Sequence, residues 1–440
     1  MSHAFTLPAV RGPAPVLPVV AVIALLALPV APGDTGGPSP ADFASAVVVL
    51  CCAVRLLRHR WQPLSRTAAV VLGLPVAGFA VAAAGTALPG TAAATGLVRY
   101  LQVFVLVPAA VLLLVRGRRD IRLLAWSMVA LALWQGAVGV HQYVTETGAS
   151  YMGREIRAVG TFGPGDVMGM STVVSFGLVC AVGLALGTTS VRQRMWAVVC
   201  GVLLVMPLAV SFSRGAWIAT ALACGAQVVL AGMRRAVGAG AVVAAVGVIL
   251  VGGFGVGSAL LEERLSSIGQ VADAPDRSVT DRYTMWEAAV DMWHERPLTG
   301  VGLKSFPDHR DGHASLALSS AGDIEGAGAT FRKQPLTSPH NMYLLVLSEQ
   351  GLIGLLALAG SWLALLVLGL RRLVRTRRAG GPGLDCALVA CGLLVWQLID
   401  FAYADIGGPS TVLAAVCFGL TAWWALAAPH PAVSEEATAR

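Results

Sequence analysis

Long apolar runs separated by short polar connections recur along almost the whole chain. They lie near 14–32, 41–57, 67–87, 96–115, 121–143, 167–188, 195–211, 215–232, 236–258, 340–370, 385–402 and 409–428. Runs of about 20 residues cross a hydrocarbon core of roughly 30 Å as helices. A chain in lipid must satisfy its own backbone groups, so helices or a closed barrel are the alternatives. A barrel needs short alternating strands, which the pattern lacks. The fold class expected is all-α: a polytopic membrane protein with about twelve transmembrane helices and one large extracytoplasmic loop carrying an interfacial helix. The organisation expected is 1–258 for helices 1–9, 259–338 for the large loop, 339–428 for helices 10–12 and 429–440 for a cytoplasmic tail. The first run lacks a clean small-residue cleavage site and reads as a span rather than a signal peptide. Pro29, Pro75, Pro108 and Pro207 fall inside runs and predict kinks.

Composition agrees with that pattern. The 440 residues are 56% hydrophobic and 12% charged, with mean hydropathy +0.73, too little polar surface for a soluble domain. The net charge of +7 does not indicate nucleic acid, because the basic residues sort by connection. Arg55, Arg58, Arg60 and Arg66, then Arg116, Arg118, Arg119 and Arg122, then Arg192 and Arg194, then Arg234 and Arg235, then Arg371, Arg372, Arg375, Arg377 and Arg378 occupy alternate connections. The intervening short ones, 33–40, 88–95 and 403–408, hold no Lys or Arg. The positive-inside rule then puts both termini in the cytoplasm. The eight cysteines all lie in apolar runs, so neither a disulfide framework nor a zinc spacing is visible.

Arg214, in "SFSRGAW", breaks the charge pattern, since it occupies a tight connection on the outer side. It either snorkels to the headgroups or binds an anion. Ser213 can cap the following helix, and a helix N-terminus beside a guanidinium suits a phosphate. "TSPHNMYLLVLSEQGLIG" repeats the arrangement at 337–354: Ser338 reads as the N-cap and Pro339 as the first helical residue, with His340 and Asn341 in the first turn. A histidine at the positive end of a helix stays neutral more readily, which a general base requires; a plain capping histidine is the alternative. In "DRYTMWEAAVDMWHERPLTGVG", 281–302, Asp281 reads as a cap, Arg282 follows it, and Tyr283, Trp286, Val290 and Trp293 form an interfacial stripe. Asp308, His309, Asp311 and His313 cluster, but read as a solvated loop rather than a metal site. Asp400 and Asp405 flank the outer end of a span, as an acceptor contact or an interfacial pair. Glu349 either orients the site or merely precedes a bend at Gly351.

Taken together, "SRG", "R…W…P…GVG" and "PHN…E.GL.G" resemble the O-antigen ligase and polymerase superfamily of membrane glycosyltransferases, over about residues 154–360. The resemblance implies transfer of a polyprenyl-diphosphate-linked glycan to a hydroxyl of a glycan, lipid or protein acceptor. It places the reaction on the outer face of the cytoplasmic membrane of a bacterium. Arg214 and Arg282 match the family's diphosphate-holding arginines and His340 its acceptor-activating histidine. Arg157, Ser213, Asn341, Glu349 and Asp400 are the expected substrate-binding residues. No Asp-x-Asp pair occurs, which fits an inverting reaction with no metal and no cofactor. The stretch "RAVGTFGPGDVMGM" departs from the family's Asn-Pro-Asn segment, leaving the role of 157–170 open. The other reading is a twelve-helix secondary transporter or flippase of envelope precursors, which predicts repeated halves and broken helices at the midplane.

Overall fold

The computed structural model describes residues 15–30, 39–59, 64–85, 91–151, 156–232, 238, 277–314, 321–326, 332–335 and 337–427. Apart from Gly238, the run at 236–258 lies outside the described residues, as do 429–440 and Arg154. The chain is a polytopic helical membrane protein. The described helices are α1 (Leu17–Leu25), α2 (Pro40–His59), α3 (Arg66–Gly85), α4 (Thr91–Leu101), α5 (Val107–Leu114), α6 (Arg118–Val144), α7 (Gly169–Gly187), α8 (Val191–Ala209), α9 (Arg214–Ala231), α10 (Arg277–Glu295), α11 (Phe306–His313), α12 (Met342–Arg378), α13 (Leu384–Asp400) and α14 (Thr411–Leu426). Eight spans among them are long and apolar enough to cross a bilayer: α2, α3, α4 running into α5, α6, α7, α8, α9 and α12.

Helices α7 and α13 form the centre. A helix apolar all round belongs in an interior, and α13 is buried on nearly every side. The two approach closely through glycine: a Cβ on Gly187 would collide with the Asp385 backbone, and one on Gly183 with Val389. Gln227 of α9 bonds both neighbours, donating to Val179 O at 3.0 Å and Leu388 O at 2.9 Å. In an apolar interior such bonds tie helices together. Helices α6, α8, α9, α12 and α14 surround this centre, and α3 lies along α12.

One end of the bundle is fastened by arginines that donate to carbonyls at helix C-termini. Arg194 reaches Thr188 O at 2.9 Å, Arg377 reaches Leu230 O at 3.0 Å, and Arg372 reaches Trp424 O and Ala427 O, each at 2.7 Å. These carbonyls have no partner within their own helices, and the negative dipole end favours a cation. Arg122 pairs with Asp385, a carboxylate buried at the start of α13. Thus α7, α9, α12 and α14 all end at the basic end, the alternation that the charge pattern predicts.

Several local expectations are corrected. Pro75 and Pro207 do lie inside helices, whereas Pro29 follows the end of α1. Pro108 comes directly after a π-helical turn, Gln102–Leu106, which adjusts the backbone where proline has no N–H to give. Residues 306–313 form a short helix rather than a loop. Outside the bundle four short strands build an antiparallel sheet ordered β2-β1-β3-β4: β1 (Ala149–Tyr151), β2 (Ile156–Arg157), β3 (Ala321–Gly326) and β4 (Arg332–Pro335). The sheet joins the 144–166 connection to the large loop, so both lie at the same end, opposite the arginine clamps.

Candidate active site

The site is assembled from three backbone interruptions at the end opposite the clamps. The first is the α8–α9 hairpin. Ser213 caps α9 as expected, its Oγ accepting from Ala216 N at 3.3 Å, so Arg214 is the first helical residue. Phe212, just before, has φ +49°, a strained conformation for a side chain of that size. Trp217 Nε1 donates to Leu208 O at 2.7 Å and closes the hairpin. Arg157 sits in β2 beside it, since Ala158 N donates to Val210 O at 3.4 Å.

The second interruption precedes α12. The cap is Asn341, not Ser338: Asn341 Oδ1 accepts from Tyr343 N at 3.0 Å and Leu344 N at 3.1 Å. Pro339 and His340 therefore stand ahead of the helix, and His340 has φ +48°. Asn both caps well and competes with the backbone locally, which explains the later start. The turn is held from two sides. Met342 N donates to Phe401 O (2.8 Å) and Ala404 O (3.0 Å), and Trp286 Nε1 donates to Pro339 O at 2.9 Å. The chain at 401–404 also touches the start of α9, where Tyr403 faces Gly215. One short turn after α13 thus brings the Arg214 helix start and the His340 turn together.

Helix α10 delivers Arg282. It begins at Arg277, so Asp281 lies in its second turn and is not its cap. Thr284, Met285, Ala288, Ala289 and Met292 are its buried face, packed on α12. The predicted stripe lies beside that face and is more open, with Tyr283 exposed. Arg282 and Asp405 each lie within electrostatic reach of both His340 and Asp400. Protein crowding around His340 lowers its pKa below the ordinary histidine value; Asp405 opposes this and Arg282 adds to it. His340 is nevertheless exposed at the surface of this end.

The third interruption is inside α12, at Gly351 (φ +66°). The break frees backbone groups, and the loop after α10 takes them up. Val301 N donates to Ser348 O (2.9 Å) and Gly302 N to Glu349 O (3.0 Å), while Leu352 N reaches Pro297 O (2.8 Å) and Ile353 N reaches Leu298 O (3.2 Å). Gly300 packs on the Glu349–Gln350 backbone and Gly351 on the Leu298–Thr299 backbone, and a Cβ on either would strike it. Glu349, buried beneath, accepts from Phe306 N at 3.2 Å. This bond ties the start of α11 to α12.

The segment at 157–170 finds a structural role. Gln135 and Gln142 of α6 hold its backbone, and Asp166 accepts from Ser410 N at 3.2 Å, fixing the start of α14. Residues that the sequence reading did not single out also border the mouth. Arg99 of α4 pairs with Asp42 and donates to Gly408 O at 3.0 Å; Lys304 lies against Gly96. The signal was available for Arg99, a charge near the edge of an apolar run.

No curated protein matches the chain. A family model described as O-Antigen ligase matches residues 199–359. That stretch contains Ser213, Arg214, Arg282, His340, Asn341 and Glu349, while Arg157 and Asp400 lie beyond it. The helix starts, the docked loop and the broken helix are thus parts of one matched region, over which the chain is similar to the O-antigen ligase family.

Proposed function

We propose that the protein transfers a glycan from a polyprenyl diphosphate to an acceptor hydroxyl, with inversion and without a metal, on the outer face of a bacterial cytoplasmic membrane. The observation that supports this best is the meeting of the Arg214 helix start and the His340 turn on the 401–404 turn, with Arg282 beside them. His340 takes the proton of the acceptor O–H as its oxygen attacks the anomeric carbon. The bond from that carbon to the diphosphate oxygen breaks, and the leaving group keeps the electron pair. Arg214, at the N-terminus of α9, and Arg282 neutralise its growing charge. Ser213, Asn341, Glu349, Asp400 and Arg157 shape or border the same mouth. The acceptor is a glycan, a lipid or a protein that reaches this mouth from the membrane surface.

Protein reconstituted in vesicles, supplied with a polyprenyl-diphosphate-linked oligosaccharide and candidate acceptors, tests the reading. Transfer should persist in EDTA and vanish in His340→Ala. Transport of the donor across the bilayer without any transfer would overturn it in favour of a flippase.

A further inference from the structure

The arginines that close helices at the clamped end do not exhaust its positive charge. Arg116, Arg118, Arg119, Asp120 and Arg122, from the α5–α6 connection and the first turns of α6, line a cavity of about 440 Å³ with Pro382 of the α12–α13 connection. That volume falls within the range of small-molecule sites. Two of the arginines are built into its wall. Arg118 donates to Pro382 O, and Gly383 (φ +107°) leaves it room, since a Cβ there would lie 2.7 Å from Arg118 Cδ. Arg122 donates to both oxygens of Asp385. Asp120 accepts from Arg116 N at 2.8 Å and is the one acid in the lining. Four guanidinium groups therefore meet two carboxylates, Asp120 and Asp385, which leaves two positive charges in excess. Arg116 and Arg119 are exposed, and their side chains have no ion pair or hydrogen bond among the described residues.

Helix α6 is long and apolar enough to span the membrane, and its outward face continues from the cavity as an apolar surface. Leu123, one turn beyond Arg119, is 39% exposed, and Ala130 and Trp134 extend the same exposed face. We propose that this cavity holds the phosphate headgroup of an anionic phospholipid, whose hydrocarbon lies along Leu123. Arg116 and Arg119 supply the charge that the protein leaves uncompensated, and the fixed Arg118 and Arg122 frame the phosphate. A guanidinium offers paired N–H donors to phosphate oxygens, and basic pockets between spanning helices suit such headgroups. A zwitterionic lipid brings its own ammonium and would leave the excess charge in place, whereas an anionic one offsets it. A soluble anion would use the charge but not the apolar face below it. The rule that orients spans asks for basic residues near their ends, but not for a walled cavity with arginines fixed in its side. The inference rests on the membrane fold and not on the transferase reading.

Native mass spectrometry of the full-length protein, released from vesicles of phosphatidylglycerol and phosphatidylcholine in equal amounts, counts the lipids retained. The wild type should retain phosphatidylglycerol in preference to phosphatidylcholine. The double variant Arg116→Gln/Arg119→Gln should retain about tenfold less phosphatidylglycerol, two cations having been lost. Arg116→Lys/Arg119→Lys keeps both charges and should retain most of it, which separates lost charge from lost folding. Arg371→Gln/Arg375→Gln removes the same charge from exposed positions on α12 at the same end and should change retention little. Equal retention of the two lipids by the wild type, or equal losses from the two glutamine variants, overturns the proposal. The first outcome leaves no preference for an anion, and the second none for this cavity. Inorganic phosphate is the competing probe: release of the retained phosphatidylglycerol by millimolar phosphate would assign the cavity to a soluble anion and also overturn it. None of these readouts involves glycan transfer, so failure of the proposed function would leave the lipid site standing.

Discussion

Arginine is used in opposite ways at the two ends of this bundle. At the clamped end, Arg194, Arg372 and Arg377 each meet carbonyls that close a helix, and Arg122 meets the buried Asp385. There the guanidinium opposes the negative end of a helix dipole, and both gain. At the other end Arg214 is the first residue of α9, next to the positive end, where a cation is disfavoured unless an anion joins it. Strain follows the same division. Phe212, Lys304 and His340 have positive φ and lie at the end opposite the clamps; among the described non-glycine residues only Glu146 shares that conformation elsewhere. Backbone strain costs about 1–2 kcal/mol per residue and marks positions that the surroundings hold for a purpose. One end uses its charges to close helices, and the other is where the proposed function puts a ligand.

The sharpest test exchanges the two. Arg214→Gln should lower kcat for glycan transfer about 10²–10³-fold, the cost of losing one charge-stabilising group, with little change in melting temperature. Arg377→Gln should leave kcat alone and lower stability by about 1 kcal/mol, one hydrogen bond at a helix end. Equal losses of turnover from both would erase the distinction.

The loop docked on the broken helix is the next point of leverage. Gly351→Ala should destabilise by about 2–3 kcal/mol, combining positive φ with a Cβ driven into the Leu298 carbonyl. Because the 296–306 loop is fastened there, limited proteolysis should open it faster in the variant. Unaltered proteolysis and melting would show that the break does not hold the loop.

Apolar run length and arginine placement made the membrane architecture readable in the sequence, because both follow directly from the bilayer. Ser213 as a cap was readable for the same kind of reason: hydroxyl and N–H are three residues apart. Asn341 displaced Ser338 as the next cap because two good capping residues stood near each other, and the choice was made by the tertiary bonds from Met342 to Phe401 and Ala404. Those partners are some 60 residues away, beyond any local rule. The small sheet escaped notice because its strands have two to six residues and gain their pairing across the fold.

The acidity of His340 sharpens the account of the mouth. Burial and Arg282 depress its pKa, so the acid limb of kcat/KM should fall below the ordinary histidine value near 6.5. Asp405 works the other way, favouring the protonated ring. Asp405→Asn should therefore move the limb to still lower pH, and Arg282→Gln should move it higher. A pH–rate profile of the three proteins checks both signs; movement in the opposite direction would remove His340 as the titrating base.

The smallest effect separates two properties of the α9 start that share one position. Ser213→Ala removes the acceptor for Ala216 N and should cost about 1 kcal/mol. Asn and Asp are good caps of nearly equal size, so whatever crowding a larger side chain meets against Met168 is common to both. Ser213→Asn and Ser213→Asp should then melt alike, Asp slightly higher because a carboxylate suits the positive end of the helix. Their turnover should differ. The Asp carboxylate occupies the place where Arg214 is proposed to meet a diphosphate, so its KM for the donor should rise well above that of the Asn variant. Equal KM values at matched stability would mean that no anion approaches this helix start, and that Arg214 belongs with the clamps.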